Sequence, residues 1–278
     1  MASQSIIHST FLVQLLEVDV FQVKIRSVLP HSSLLTVNLD SFMDILRAFE
    51  LDDSVTRQVN PVKKQLSSIH PEVLLFLSKI ESLSVREDNE NPELNTGGEI
   101  AITTETNFRT RKSVDAKSYT LHLSMEENST DKLDRKCSYY VWKQKFAEKQ
   151  ENKVEKRMEV EDWVVTLAFP NGERLRRGMS SPGIYAFLPT EMVTNFPFII
   201  QADFFLESSR ETILLDDKWN QGIFDCVPLA FINALVSVVK MTEDAPASSI
   251  PRMFHFLPIK TSHYPTFNAV RESIKAAG

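Results

Sequence analysis

Glu207-Ser208-Ser209-Arg210-Glu211-Thr212 is the stretch whose residue types come nearest to chemistry. It follows an apolar, strand-like run from Pro197 to Leu206 and leads through Asp216 and Asp217 into a helix-like pattern. A guanidinium is planar, permanently charged and bidentate, so it matches phosphate oxygens. A cation set against the charge that develops in phosphoryl transfer speeds it by roughly 10³ to 10⁵. On the residues alone Arg210 has two readings. In one it pairs with Glu207, Glu211 or an Asp at the helix start and ties a turn together. In the other it is aimed at the γ-phosphate of a nucleotide held by another domain.

The groups that would hold such a nucleotide are missing from the sequence. There are seven glycines in 278 residues, and none forms a Gly-x-x-x-x-Gly-Lys-Ser/Thr or a Gly-x-Gly-x-x-Gly loop. The nucleophile elbow Gly-x-Ser-x-Gly is absent too. Glu-x-x-x-Asn occurs at Glu87 and Asn91, Glu148 and Asn152, and Glu191 and Asn195, all in polar connections, without an Asp-x-Gly-x-Gly partner. The six histidines are scattered, with His255 and His263 nearest in sequence, so no metal site and no cofactor-binding residues are assigned.

Composition is that of an ordinary globular chain, 42% hydrophobic and 24% charged. The net charge of -6 opposes a phosphate backbone, so nucleic-acid binding needs a local basic patch. Arg174, Arg176 and Arg177 with Arg109, Arg111 and Lys112 are the candidate, but without interleaved exposed aromatics a solvated hairpin tip is the favoured reading of them. Two cysteines, Cys137 and Cys226, lack metal-like spacing and suit a reducing, intracellular compartment, cytoplasmic or nuclear. No uninterrupted apolar run reaches about 18 residues, and no membrane partner is expected.

Positioning elements follow from periodicity. Phe11–Leu16 and Phe42–Phe49 read as helical, and Asp19–Ile25 as a short strand. His70-Pro71-Glu72 opens a helix carrying Val73, Leu74, Leu77, Ile80 and Leu83 on one face. Asp88–Gly98 reads as an exposed loop. From Glu99 to Leu206 the period becomes two, with strands at Ile100–Thr104, Tyr119–Met125, Ser138–Trp142, Trp163–Phe169, Gly183–Leu188 and Phe198–Leu206. Asn171-Gly172 reads as a turn, and the charged run Lys143–Arg157 as a solvated loop or helix face. The final helix is capped by Asp216 or Asp217 and is kinked or split at Pro228, and the tail beyond Met241 is weakly patterned.

Ser209-Arg210-Glu211-Thr212 before an amphipathic helix resembles the middle domain of the ninety-kilodalton heat-shock chaperone. The wider run is similar to the sacsin and plant No Vein-like proteins of the histidine-kinase, gyrase-B and heat-shock-chaperone-like ATPase group. That resemblance rests on Gln65–Glu72, Pro182–Thr190, Asn195–Phe204, Ser209–Glu211 and Trp219-Asn220. It implies an α+β fold, a mostly antiparallel sheet with helical layers, like the transducer domain of those ATPases. It implies three parts: a poorly defined helical segment at 1–60, a transducer-like domain at 61–240, and a linker and tail at 241–278. It further implies a module without its own ATP pocket, coupling nucleotide state or protein partners, with Arg210 catalytic only where an ATPase half is supplied elsewhere. ATP and Mg would then belong to that adjoining domain. The alternative expectation is a non-catalytic interaction scaffold, and a weaker one a nucleic-acid-associated factor.

Overall fold

The computed structural model describes residues 21–27, 35–37, 69–77, 80–87, 96–111, 113–127, 131–175, 182–241 and 254–277. The architecture is α+β, a mixed sheet with two α-helices among the described residues. Contacts divide the chain into two compact units, residues 1–103 with 121–136, and residues 104–120 with 137–278. The helical readings at Phe11–Leu16 and Phe42–Phe49 lie outside the described residues.

In the first unit, β1 (Phe21–Ser27) pairs antiparallel with β2 (Leu35–Val37) and with β3 (Ile80–Glu87), which pairs in turn with β4 (Thr96–Arg111). The helix expected from His70 to Leu83 is instead one 3₁₀ turn, Pro71–Leu75, followed by β3. Val73 and Leu74 are buried by that turn, while Leu83 faces Ile25 and Ile100 across the ladders. Apolar residues at 80 and 83 fit a helical stripe, but Leu83 and Val85 equally fit a two-residue period, and cross-strand pairing decides between them. Gly97 and Gly98, expected in a loop, belong to β4 opposite Arg86 and Val85.

The second unit holds the larger core. It takes in the remainder of β5 (Val114–Glu127) and β6 (Asp131–Ala147), then β7 (Asp162–Asn171), β8 (Ile184–Ala186), β9 (Leu188–Pro189) and β10 (Ile199–Gln201). The order β6-β7-β10-β8-β9 is antiparallel except for the parallel pairing of β10 with β8. Trp163, Val165, Leu167 and Phe169 alternate as read from sequence, yet Thr166 and Ala168 on the other face are buried as well. Lys143–Ala147 extends β6, and two 3₁₀ turns, Gln150–Asn152 and Glu155–Arg157, follow it. Most of the charged run is exposed, as expected, but it lies on a strand end and two 3₁₀ turns rather than on a loop or helix, with Gln144 and Asn152 buried.

Helix α1 (Lys218–Met241) packs on β7, and helix α2 (Pro265–Ala277) packs on α1. Asp217 caps α1: its Oδ1 accepts the Trp219 N–H at 2.9 Å and the Asn220 N–H at 3.4 Å. Pro228 lies inside one continuous helix and does not split it. By length and composition Lys218–Val239 suffices to cross a bilayer, and half of it is buried inside this fold. The weakly patterned tail forms α2, which buries Phe267, Val270 and Ile274. Aromatic rings join the layers: Trp163 meets Trp219 edge-on at 5.8 Å, Phe198 lies 5.1 Å from Phe231, and Phe224 lies 5.7 Å from Phe267.

Candidate functional site

The strand-like run expected to end at Leu206 is regular only at β10, Ile199–Gln201. Beyond it the chain makes a small hairpin. Leu206 bridges Ile213, Glu207 N–H donates to the Thr212 carbonyl at 2.9 Å, and Leu214 N–H donates to the Phe205 carbonyl at 3.1 Å. The tip is a turn closed by the Arg210 N–H on the Glu207 carbonyl at 2.9 Å. Ser209 Oγ accepts the Glu211 N–H at 3.3 Å on the far side.

Arg210 occupies this tip with φ +62°, in the left-handed region. Four-residue hairpin loops often need one residue there, and glycine or asparagine is the usual occupant. An arginine with a Cβ costs roughly 1–2 kcal/mol in that conformation. Arg210 is exposed, and among the described residues its guanidinium makes no hydrogen bond or ion pair, with Glu207 and Glu211 or otherwise. Phe187 and Asn195 are the other non-glycine residues with positive φ among those described. Asn195 ties its loop to the Thr261 carbonyl through Nδ2 at 2.7 Å.

The tip stands on a base held by hydrogen bonds from buried side chains. Asn220, fully buried in the first turn of α1, accepts the Phe205 N–H on Oδ1 at 2.8 Å. Its Nδ2 donates to the carbonyls of Phe205 at 2.9 Å and Leu214 at 2.8 Å. Trp219 donates its indole N–H to the Asp203 carbonyl at 2.8 Å. The return limb is held from the other side, where Glu191 N–H donates to the Glu211 carbonyl at 2.8 Å and Ile213 N–H to Met192 Sδ at 3.2 Å.

Arg157, hidden in the charged run, completes the base. Its Nη2 meets Asp203 Oδ1 at 2.8 Å, and its guanidinium carbon lies 5.2 Å from the centre of the Phe205 ring. Burial raises the Asp203 carboxyl above its ordinary range, and the Arg157 charge only partly offsets that. No sequence spacing links residues 157 and 203. Only β7 and β10 bring them together.

Arg174 donates to the Pro182 carbonyl at 2.8 Å, while Arg176, Arg177 and Lys112 lie outside the described residues. Glu148 is buried beside Lys153, 3.7 Å away, and Asn152 Nδ2 holds the Lys218 carbonyl at 2.7 Å, so that Glu-x-x-x-Asn is a structural brace on no helix. Cys137 and Cys226 are buried as thiols, and burial pushes Cys226 up to about 11. An open groove of about 650 Å³ lies between α1 and α2, lined by Phe224, Pro228, Leu229, Ile232 and Val270, with no hairpin residue in it.

Fold and site together define an α+β module that presents one arginine from a strained hairpin tip. No family model matches the chain. Protein NO VEIN of Arabidopsis thaliana is similar to it, 27% identical over 193 residues, which is 68% of this chain and 6% of that protein. The chain thus spans a small fraction of its relative's length, and the similarity supports a No Vein-like relationship. No solved structure matches.

Proposed function

We propose that this chain is a coupling module that presents Arg210 to the phosphates of a nucleotide bound by a separate ATP-binding part. One observation carries the reading. A charged, exposed side chain without a partner among the described residues sits on backbone in a costly conformation, above a base fixed by a buried amide. Strain that the surroundings over-determine is concentrated at functional positions. The sequence contains no phosphate-cradling glycine loop. ATP and Mg belong to the partner part, and Arg210 contributes charge where negative charge builds on the transferring phosphoryl group.

The test combines the full chain with the ATP-binding half of a No Vein-like protein and follows ATP hydrolysis. Arg210→Ala is expected to lower kcat by at least about 10²-fold with ATP binding unchanged, as removal of a transition-state donor does. Hydrolysis indifferent to Arg210→Ala overturns the reading and leaves an interaction scaffold.

A further inference from the structure

A hydrogen-bonded antiparallel pair exchanges both of its N–H···O bonds. Phe205 and Leu214 face each other one step below the Leu206–Ile213 bridge, and only one of those bonds is direct, Leu214 N–H to the Phe205 carbonyl. The return bond passes through a side chain. Phe205 N–H donates to Asn220 Oδ1, and Asn220 Nδ2 donates to the Leu214 carbonyl, each at 2.8 Å. The amide thus stands between the two limbs as an inserted peptide group. Its orientation follows from its partners, because an N–H must face the oxygen and two carbonyls must face the nitrogen. Aspartate has the same shape and neither donor.

We propose that Asn220 is a positioning residue, a side-chain wedge that holds the hairpin base apart and thereby sets the aim of Arg210. The proposal rests on the Arg210 reading above. It also gives α1 a role in that reading: the helix start grips the Asp203 carbonyl through Trp219 and the hairpin limbs through Asn220, so a shift of the helix start moves the tip. With the amide removed, the Phe205 N–H and the Leu214 carbonyl are free to meet. The base narrows, and the displacement grows toward the tip. A misplacement of about 1 Å in a group that must meet a reacting phosphate costs roughly 10²-fold.

Two measurements test this. In the chain by itself, spin labels at Ser209 and Gln221, both exposed, report the distance from tip to helix. Asn220→Ala is expected to shift or broaden that distance, and Val227→Ala, which removes buried volume from the same helix, is not. In the assembly with the ATP-binding half, Asn220→Ala and Asn220→Asp are expected to lower kcat by about 10²-fold with ATP affinity retained. Val227→Ala should keep kcat whatever its melting temperature. Should Asn220→Ala not fold, Asn220→Ser carries the same comparison. An unchanged distance overturns the wedge. A normal kcat in the Asn220 variants, where Arg210→Ala is impaired, overturns the positioning role. If Arg210→Ala itself is normal, the function reading has failed, and the distance measurement still decides the wedge.

Discussion

Replacing Arg210 by glycine separates backbone strain from side-chain chemistry. At φ +62° the Arg210 Cβ crowds the neighbouring carbonyl, at a cost of roughly 1–2 kcal/mol. Glycine removes that cost and adds about 0.5–1 kcal/mol of lost chain freedom on folding. The net gain is about 0.5–1 kcal/mol. Alanine keeps the Cβ and therefore the strain. Because the guanidinium is exposed and has no partner among the described residues, Arg210→Ala should stay within about 0.5 kcal/mol of the parent. Thermal melts of the three proteins in one buffer should place Arg210→Gly about 1–3 °C above the other two. Both variants should be equally deficient in the hydrolysis assay. If Arg210→Gly melts no higher than Arg210→Ala, no strain is stored at the tip, and the argument from a costly conformation to a presented side chain fails.

Other outcomes follow from the base and the core. A Cβ at position 222 would overlap the Trp163 ring and the Asn152 amide, so Gly222→Ala should lower the melting temperature. The overlap costs about 1–3 kcal/mol and exceeds the gain of about 1 kcal/mol in helix propensity, and a higher melting temperature would refute that packing. Burial holds the folded Asp203 carboxyl above 3.8, so the folded state keeps a proton that the unfolded chain has lost, and stability falls as pH rises through the window just above 3.8. Melts of the parent minus Asp203→Asn should show that decline, and a flat difference across the window would contradict it. With its thiol near 11, Cys226 is ionised to about one part in a thousand at pH 8, so Ellman's reagent should titrate it only on unfolding. Rapid reaction of the native chain at Cys226 would show the thiol to be accessible.

What was legible depended on how local its cause was. The start of α1 could be read because an Asp cap needs only its own next residues, and Asp217 does bond the N–H groups two and three positions on. Trp163 to Phe169 could be read because a two-residue alternation survives even where both faces are covered. The stretch from Leu77 to Leu83 misled, because the same apolar residues satisfy a helical stripe and a strand, and the ladders with β1 and β4 choose. The hairpin at 205–214 read as a plain connection from strand to helix, since its narrow polar turn contains neither glycine nor asparagine. Arg157 was lost in a charged run whose composition reads as solvent-facing, and its partner Asp203 is 46 residues away.

The amino-acid sequence by itself determined the charge balance, the lack of a phosphate-cradling glycine loop, the position of the capped apolar helix and the single arginine ahead of it. These are properties of composition or of neighbours within one turn, which the chain carries before it folds. Only the tertiary structure decided that Arg210 stands on a left-handed tip and that Asn220 parts the limbs beneath it. It also decided that Arg157 and Asp203 meet beside Phe205. Each depends on backbone groups or charges from distant segments being brought within hydrogen-bond range, and that meeting is produced by the packing of α1 and the strands, not by any local preference.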